Sequence, residues 1–205
     1  MKPSSALHEA NTDAEYDTVA IKGQAPRLAH FARPGAVIHA PSHASRLHRF
    51  EVTSDEPVRV MVVYAPPYSE NPNAAVLANG PDDPRLQADA ADISDVPDGA
   101  EAIGLPHYRG ALARPVVTRQ TVNARFLDIY MVTVDADGGA EPHRLGETEQ
   151  VLFVRSGTIR GRIEGERFTA GTGEWVYVPE DKEFSLESAN GPCELIVIRA
   201  HEPLP

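Results

Sequence analysis

Apolar and polar positions alternate along this chain in short runs, not with the three-to-four spacing of helices, and the runs end at Gly, Pro, Asn or Asp. In the second half they read RFLDIYMVTV (125–134), EQVLFVRS (149–156), TIRGRIEG (158–165), RFTA (167–170), EWVYVPE (174–180), FSLES (184–188) and CELIVIRA (193–200). Seven short strands with turn signals between them predict a sandwich or barrel. The first half offers DTVAIKG (17–23), RLAHFA (27–32), AVIHAP (36–41), LHRFEVTS (47–54) and VRVMVVYAPP (58–67). Between the halves the pattern fails, and one helix is expected, with Asp82 or Asp83 as its cap and Pro84 in its first turn. The composition places a linker at 69–108, between a shorter unit at 1–68 and a longer one at 109–205.

The two halves repeat the same order of signals. EYDTVAIKGQ (15–24) and EQVLFVRSGT (149–158) each place a glutamate eight residues before a glycine turn, and PGAVIHAP (34–41) and TGEWVYVP (172–179) each place a glycine six residues before a proline. A repeated order points to a duplicated unit. The fold class expected is therefore all-β.

Charge narrows the partners. The net charge is -11 and no run of adjacent Lys or Arg occurs, so a duplex or an anionic membrane surface is repelled overall, and neither nucleic acid nor membrane is expected as a partner. No stretch of some 18 apolar residues and no apolar leader is present, which makes the cytoplasm the expected location. Cys193 stands alone, excluding an intrachain disulfide and a cysteine-based zinc cluster; a buried place in its strand is expected. GTGEW and GGAEP lack the lysine and the strand-to-helix setting of a phosphate loop, and no serine sits in a nucleophile elbow. Arg160 and Arg162 share one strand face, where they pair with surplus acids or an anionic ligand, or simply meet solvent; Trp175 and Tyr177 share another.

With these runs in view, GGAEPHRLGETEQVLFVRSG followed by GERFTAGTGEWVYVPEDKEF resembles the two short motifs of the cupin superfamily, a His-x-His pair, a glutamate and a glycine, then a glycine, a proline and a histidine. LHRFEVTSDEPVRVMVVYAPP resembles the end of a second cupin unit. The resemblance implies two jelly-roll-like barrels of the quercetin-dioxygenase type, the N-terminal one truncated, and cupins of this appearance include dioxygenases, isomerases and cyclases of aromatic or polyketide-like metabolites.

The motif positions are largely substituted in the second unit. His143 takes the first histidine position, Leu145 the second, Gln150 (or Glu149, one residue earlier) the glutamate and Phe184 the closing histidine. That set is too poor in donors for a transition metal, Glu147 and Glu149 being the only substitutes. No metal is expected there. His143 and Gln150 become the candidate catalytic residues, among Leu145, Leu152, Val154 and Phe184, in an apolar cavity or in a packed core. In the first unit, His8 takes the first histidine position, Ala10 the second and Glu15 the glutamate, while the closing position falls on Arg46 with His48 the nearest histidine. His8, Glu15 and His48 are thus the candidate ligands for Fe(II) or another divalent metal, with His39 or His43 able to replace His8. His30, His107 and His201 receive no role.

Two readings follow from the resemblance. One is a metal-dependent oxygenase acting on a small molecule. The other is a metal-free isomerase, epimerase or cyclase, or a non-catalytic binder of small molecules. A homodimer is expected, because the shortened first unit lacks the strand that leads into its motif and an exchanged strand would supply it.

Overall fold

A computed structural model describes residues 17–19, 27–29, 37–39, 55, 57–64, 94–95 and 101–201. The chain divides into two compact units, 1–96 and 97–205. In the first, β1 (Asp17–Val19) pairs antiparallel with β2 (Arg27–Ala29), and β3 (Ile38–His39) pairs with β4 (Ser94–Asp95). The strand expected over 58–67 is not formed at 58–64: these residues are irregular, and Val60, Met61, Val62 and Tyr64 are exposed. High β-propensity does not suffice where no neighbouring strand supplies a ladder, and among the described residues none does. The expected strand at 47–54, the helix after Asp82 and most of the expected first barrel lie outside the described residues.

The second unit carries the seven strands expected there and one more. In chain order they are β5 (Tyr108–Val117), β6 (Leu127–His143), β7 (Glu149–Ser156), β8 (Thr158–Ile163), β9 (Glu166–Gly171), β10 (Trp175–Val178), β11 (Phe184–Ser188) and β12 (Cys193–Ala200), with one short helix, α1 (Arg119–Val122), after β5. They form an eight-stranded sheet in the order β10-β7-β12-β6-β11-β8-β9, with β5 added along β6, and the sheet curls into a nearly closed barrel. Every pairing is antiparallel.

Closure depends on β6, which is longer than the run at 125–134 suggested. Its first part, Leu127–Val134, pairs with β12; it bends at the aspartates and glycines of 135–139, and its end pairs with β11. Gly139 sits at a close approach of β6 and β11, since a Cβ there would lie 2.2 Å from the carbonyl oxygen of Leu186. At the other corner Gly157, with φ 84°, turns the chain from β7 into β8. α1 is held at its start by a capping box between Thr118 and Thr121.

The inner face is packed. Ala113, Val132, Val134, Leu152, Val154, Ile159, Phe184, Leu195 and Val197 are buried in one cluster, and Leu145 packs against its edge. Leu152, Val154 and Phe184 therefore serve core packing. Cys193 is buried and free. The opposite face keeps its charge: Arg160 and Arg162 are exposed, as are Trp175 and Tyr177, and Trp175 leans on Phe153 with ring centroids 4.5 Å apart. Among the described residues no helix is long and apolar enough to cross a membrane.

Candidate functional site

Polar side chains enter this apolar interior at one end of the barrel. The alternation of β7 sends Gln150, Leu152 and Val154 inward and Glu149 outward, so the glutamate position of the motif falls on Gln150. Glu149 instead accepts a hydrogen bond from the Tyr177 hydroxyl at the surface, and Glu147 is exposed in the preceding loop. His143 is the last residue of β6, paired with Phe184 and only 9% exposed. Opposite Gln150 in β12 lies Arg199, on the same inward face as Cys193, Leu195 and Val197. Tyr108 enters from the start of β5.

These side chains are coupled. Arg199 donates from Nε to Gln150 Oε1 at 2.9 Å and lies 5.6 Å over the Tyr130 ring. Nδ1 of His143 is 2.7 Å from the carbonyl oxygen of Glu141, which fixes the proton on Nδ1 and leaves Nε2 as an acceptor. The imidazole sits among rings: His107 stacks on it at 4.8 Å, Phe184 lies at 4.4 Å and Tyr108 meets it edge-on at 5.9 Å. Burial pushes the pKa of His143 below its ordinary value, the Glu141 carbonyl pulls the other way, and His107 and Arg199 add to the lowering. It is neutral at neutral pH. Burial raises the pKa of Tyr108 against the pull of Arg199 and Gln150, so its hydroxyl stays protonated.

Among the described residues, the buried Oη of Tyr108 and Nε2 of Gln150 are without a hydrogen-bond partner. The hydroxyl lies near Gln150 and Arg199 without a well-formed hydrogen bond to either. Unpaired buried donors are uncommon in folded proteins. A neutral base, two free donors and a guanidinium thus meet in one apolar wall. Such a set can bind an oxygen atom and move a proton beside it.

Residues 130–199 match the family model of the cupin domain. The match supports the cupin superfamily for the barrel that carries this site. Solved structures are similar to the chain too. The Schizosaccharomyces pombe Cnp3 cupin domain has a TM-score of 0.45 at 10% identity, over 54% of this chain and 77% of that one. The polyketide cyclase RemF from Streptomyces resistomycificus has a TM-score of 0.45 at 19% identity, over 52% and 78%. The protein Ylba from E. coli has a TM-score of 0.46 at 22% identity, over 54% and 45%. No curated protein matches the sequence significantly.

Within this barrel the donor set does not fit a transition metal. Leu145 and Phe184 occupy two motif positions, the Phe184 ring covers His143, and among the described residues no three His, Cys, Asp or Glu side chains converge. His8, Glu15 and His48 lie outside the described residues, as does His43. His39 is in β3, and its side chain is not among those described.

Three residues of the site were not singled out from the sequence. Arg199 was legible, because the alternation of CELIVIRA that buries Cys193, Leu195 and Val197 places Arg199 on the same face. Tyr108 was hidden by the assignment of its surroundings to the linker. His107, with φ 67°, is held in the left-handed region at the turn into β5, and only the fold brings it onto His143.

Proposed function

We propose that this chain is a cupin-type enzyme acting on a small organic molecule, and that its C-terminal barrel performs proton transfer beside a bound carbonyl or phenolic oxygen. The substrate oxygen accepts hydrogen bonds from Oη of Tyr108 and Nε2 of Gln150, the two buried donors that lack protein partners. Arg199 stabilises the negative charge that develops on that oxygen, held in place by its bond to Gln150. Nε2 of His143 takes a proton from the carbon next to the carbonyl, and its return to a different position or face gives isomerisation, epimerisation or ring closure. No electrons leave the substrate. The lowered pKa of His143 keeps it in the accepting form, and Phe184 and the core beneath it limit water.

The observation that carries this reading is the pair of unpartnered buried donors, Oη of Tyr108 and Nε2 of Gln150, with the Tyr108 ring edge-on to an imidazole whose Nδ1 is engaged by the Glu141 carbonyl. Its test is hydrogen–deuterium exchange at the carbon next to the carbonyl, followed by NMR in D2O with a panel of α-hydroxyketones and acylphenols. Exchange that is lost in His143→Gln and reduced at least tenfold in Tyr108→Phe supports the reading. Exchange that persists in His143→Gln overturns it. The oxygenase reading rests on the spacing of His8, Glu15 and His48, and its own test is the metal content of untagged protein: a stoichiometric divalent metal that disappears in His48→Ala supports it.

A further inference from the structure

The outer face of the same barrel carries a charge pattern at odds with the rest of the chain. Strand register aligns Arg109, Gly139, Glu187, Arg160 and Thr169 as successive cross-strand neighbours over β5, β6, β11, β8 and β9. The adjacent row runs through Ser185, Arg162 and Arg167. Together the four arginines line an open groove of about 790 Å3 that also contains two carboxylates, Glu141 and Glu187. The groove thus holds an excess of positive charge in a protein whose net charge is -11.

The partners of these arginines are uneven. Arg160 donates from Nε to Glu187 Oε1 at 2.7 Å, Arg109 donates to the carbonyl of Asp137, and Arg162 donates from Nη1 to the carbonyl of Gly165 at 2.8 Å. Arg167 has no hydrogen bond or ion pair among the described residues. It stands directly opposite Arg162 in the ladder. Like charges opposite one another destabilise a sheet, and among the described residues no carboxylate neutralises Arg167, although the chain has 30 acidic residues. Between the arginines the surface is low, formed by Ser185 and by Gly139, where the Leu186 carbonyl leaves no room for a side chain. Guanidinium groups bind oxyanions in a bidentate manner, and a groove lined by one sign of charge concentrates the opposite one.

We propose that this groove binds a small multivalent oxyanion, whose charge bridges Arg162 and Arg167 while Arg160 and Arg109 contact its outer oxygens. A monovalent anion leaves one of the opposed guanidiniums uncompensated, so a charge of two or more is required. A nucleic acid strand does not suit, because Glu141 and Glu187 interrupt the positive surface and the molecule as a whole repels a polyanion. The site lies on the face opposite the barrel interior and is independent of the proton-transfer reading.

Calorimetric titration of the full chain at low salt tests the proposal, with pyrophosphate and citrate as probes and acetate as the monovalent control. Saturable one-to-one binding of pyrophosphate or citrate, with acetate at least tenfold weaker, is expected, and the tighter of the two probes tells phosphate from polycarboxylate. Arg162→Gln with Arg167→Gln weakens that binding at least tenfold, whereas Arg155→Gln, an exposed arginine beside Glu194 on β7, leaves it unchanged. The ligand-free double variant melts at or above the temperature of the parent, since a repulsion has been removed. Failure of both probes to saturate, equal loss in Arg155→Gln, or a double variant that melts lower overturns the proposal.

Discussion

Burial holds His143 and Tyr108 each in the protonation state that the proposed chemistry needs, and the two differ in what they contribute to stability. Because the pKa of His143 is held below its ordinary value of 6.5 in the fold, the unfolded chain binds a proton first as the pH drops. The stability linked to His143 is therefore complete above that ordinary value and is lost as pH falls from 6.5 through the lowered folded value. Denaturant midpoints measured between pH 8 and pH 5 should fall less steeply in His143→Gln than in the parent, and identical slopes would refute the assignment. Tyr108 gives a different signature. Its hydroxyl is buried and unpaired, so Tyr108→Phe removes a group the fold does not use, and stability should change by no more than about 1 kcal/mol, in either direction. Activity should nevertheless drop. A residue whose loss leaves the melt intact and the exchange rate low serves the ligand.

At the scale of elements, period-two alternation accounts for what the sequence revealed. It placed all seven strands of the second half and set Arg160 and Arg162 on one face, and the structure decides between Gln150 and Glu149 by the same rule. It failed where breakers stand inside strands. β5 contains Gly110 and Pro115, and its register shifts at both places, so YRGALARPVV reads as a loop although it pairs along β6. The candidate site inherited that failure, because Tyr108 belongs to β5 and His107 to the turn before it. β6 likewise continues through aspartates and glycines that resemble a turn. Its bend predicts an asymmetry between glycines. Gly139→Ala forces a Cβ to within 2.2 Å of the Leu186 carbonyl oxygen and should cost about 1–3 kcal/mol as β6 and β11 are pushed apart. Gly171→Ala meets nothing closer than 3.7 Å and should stay within about 0.5 kcal/mol of the parent in the same denaturation experiment.

For the whole molecule, the placement of the core decides what can fold alone. Among the described residues, every member of the buried cluster lies between Leu105 and Val197, and the strands β5 to β12 form one sheet by pairing with one another. The repeated glutamate–glycine and glycine–proline spacings suggested two units from sequence, whereas the contents of each interior depend on which faces meet, and linear spacing does not state that. A chain cut to residues 97–205 contains the complete sheet and its own apolar interior, and is of ordinary domain size. Its isolated form should show a β-type circular dichroism spectrum and one cooperative thermal transition. Phe184→Ala in that piece removes the largest side chain of the cluster and should lower stability by about 3–5 kcal/mol, while Trp175→Ala, on the exposed outer face, costs far less. A gradual melt of the 97–205 piece, or a Phe184→Ala variant as stable as its parent, would mean that the barrel owes its cohesion to residues outside it.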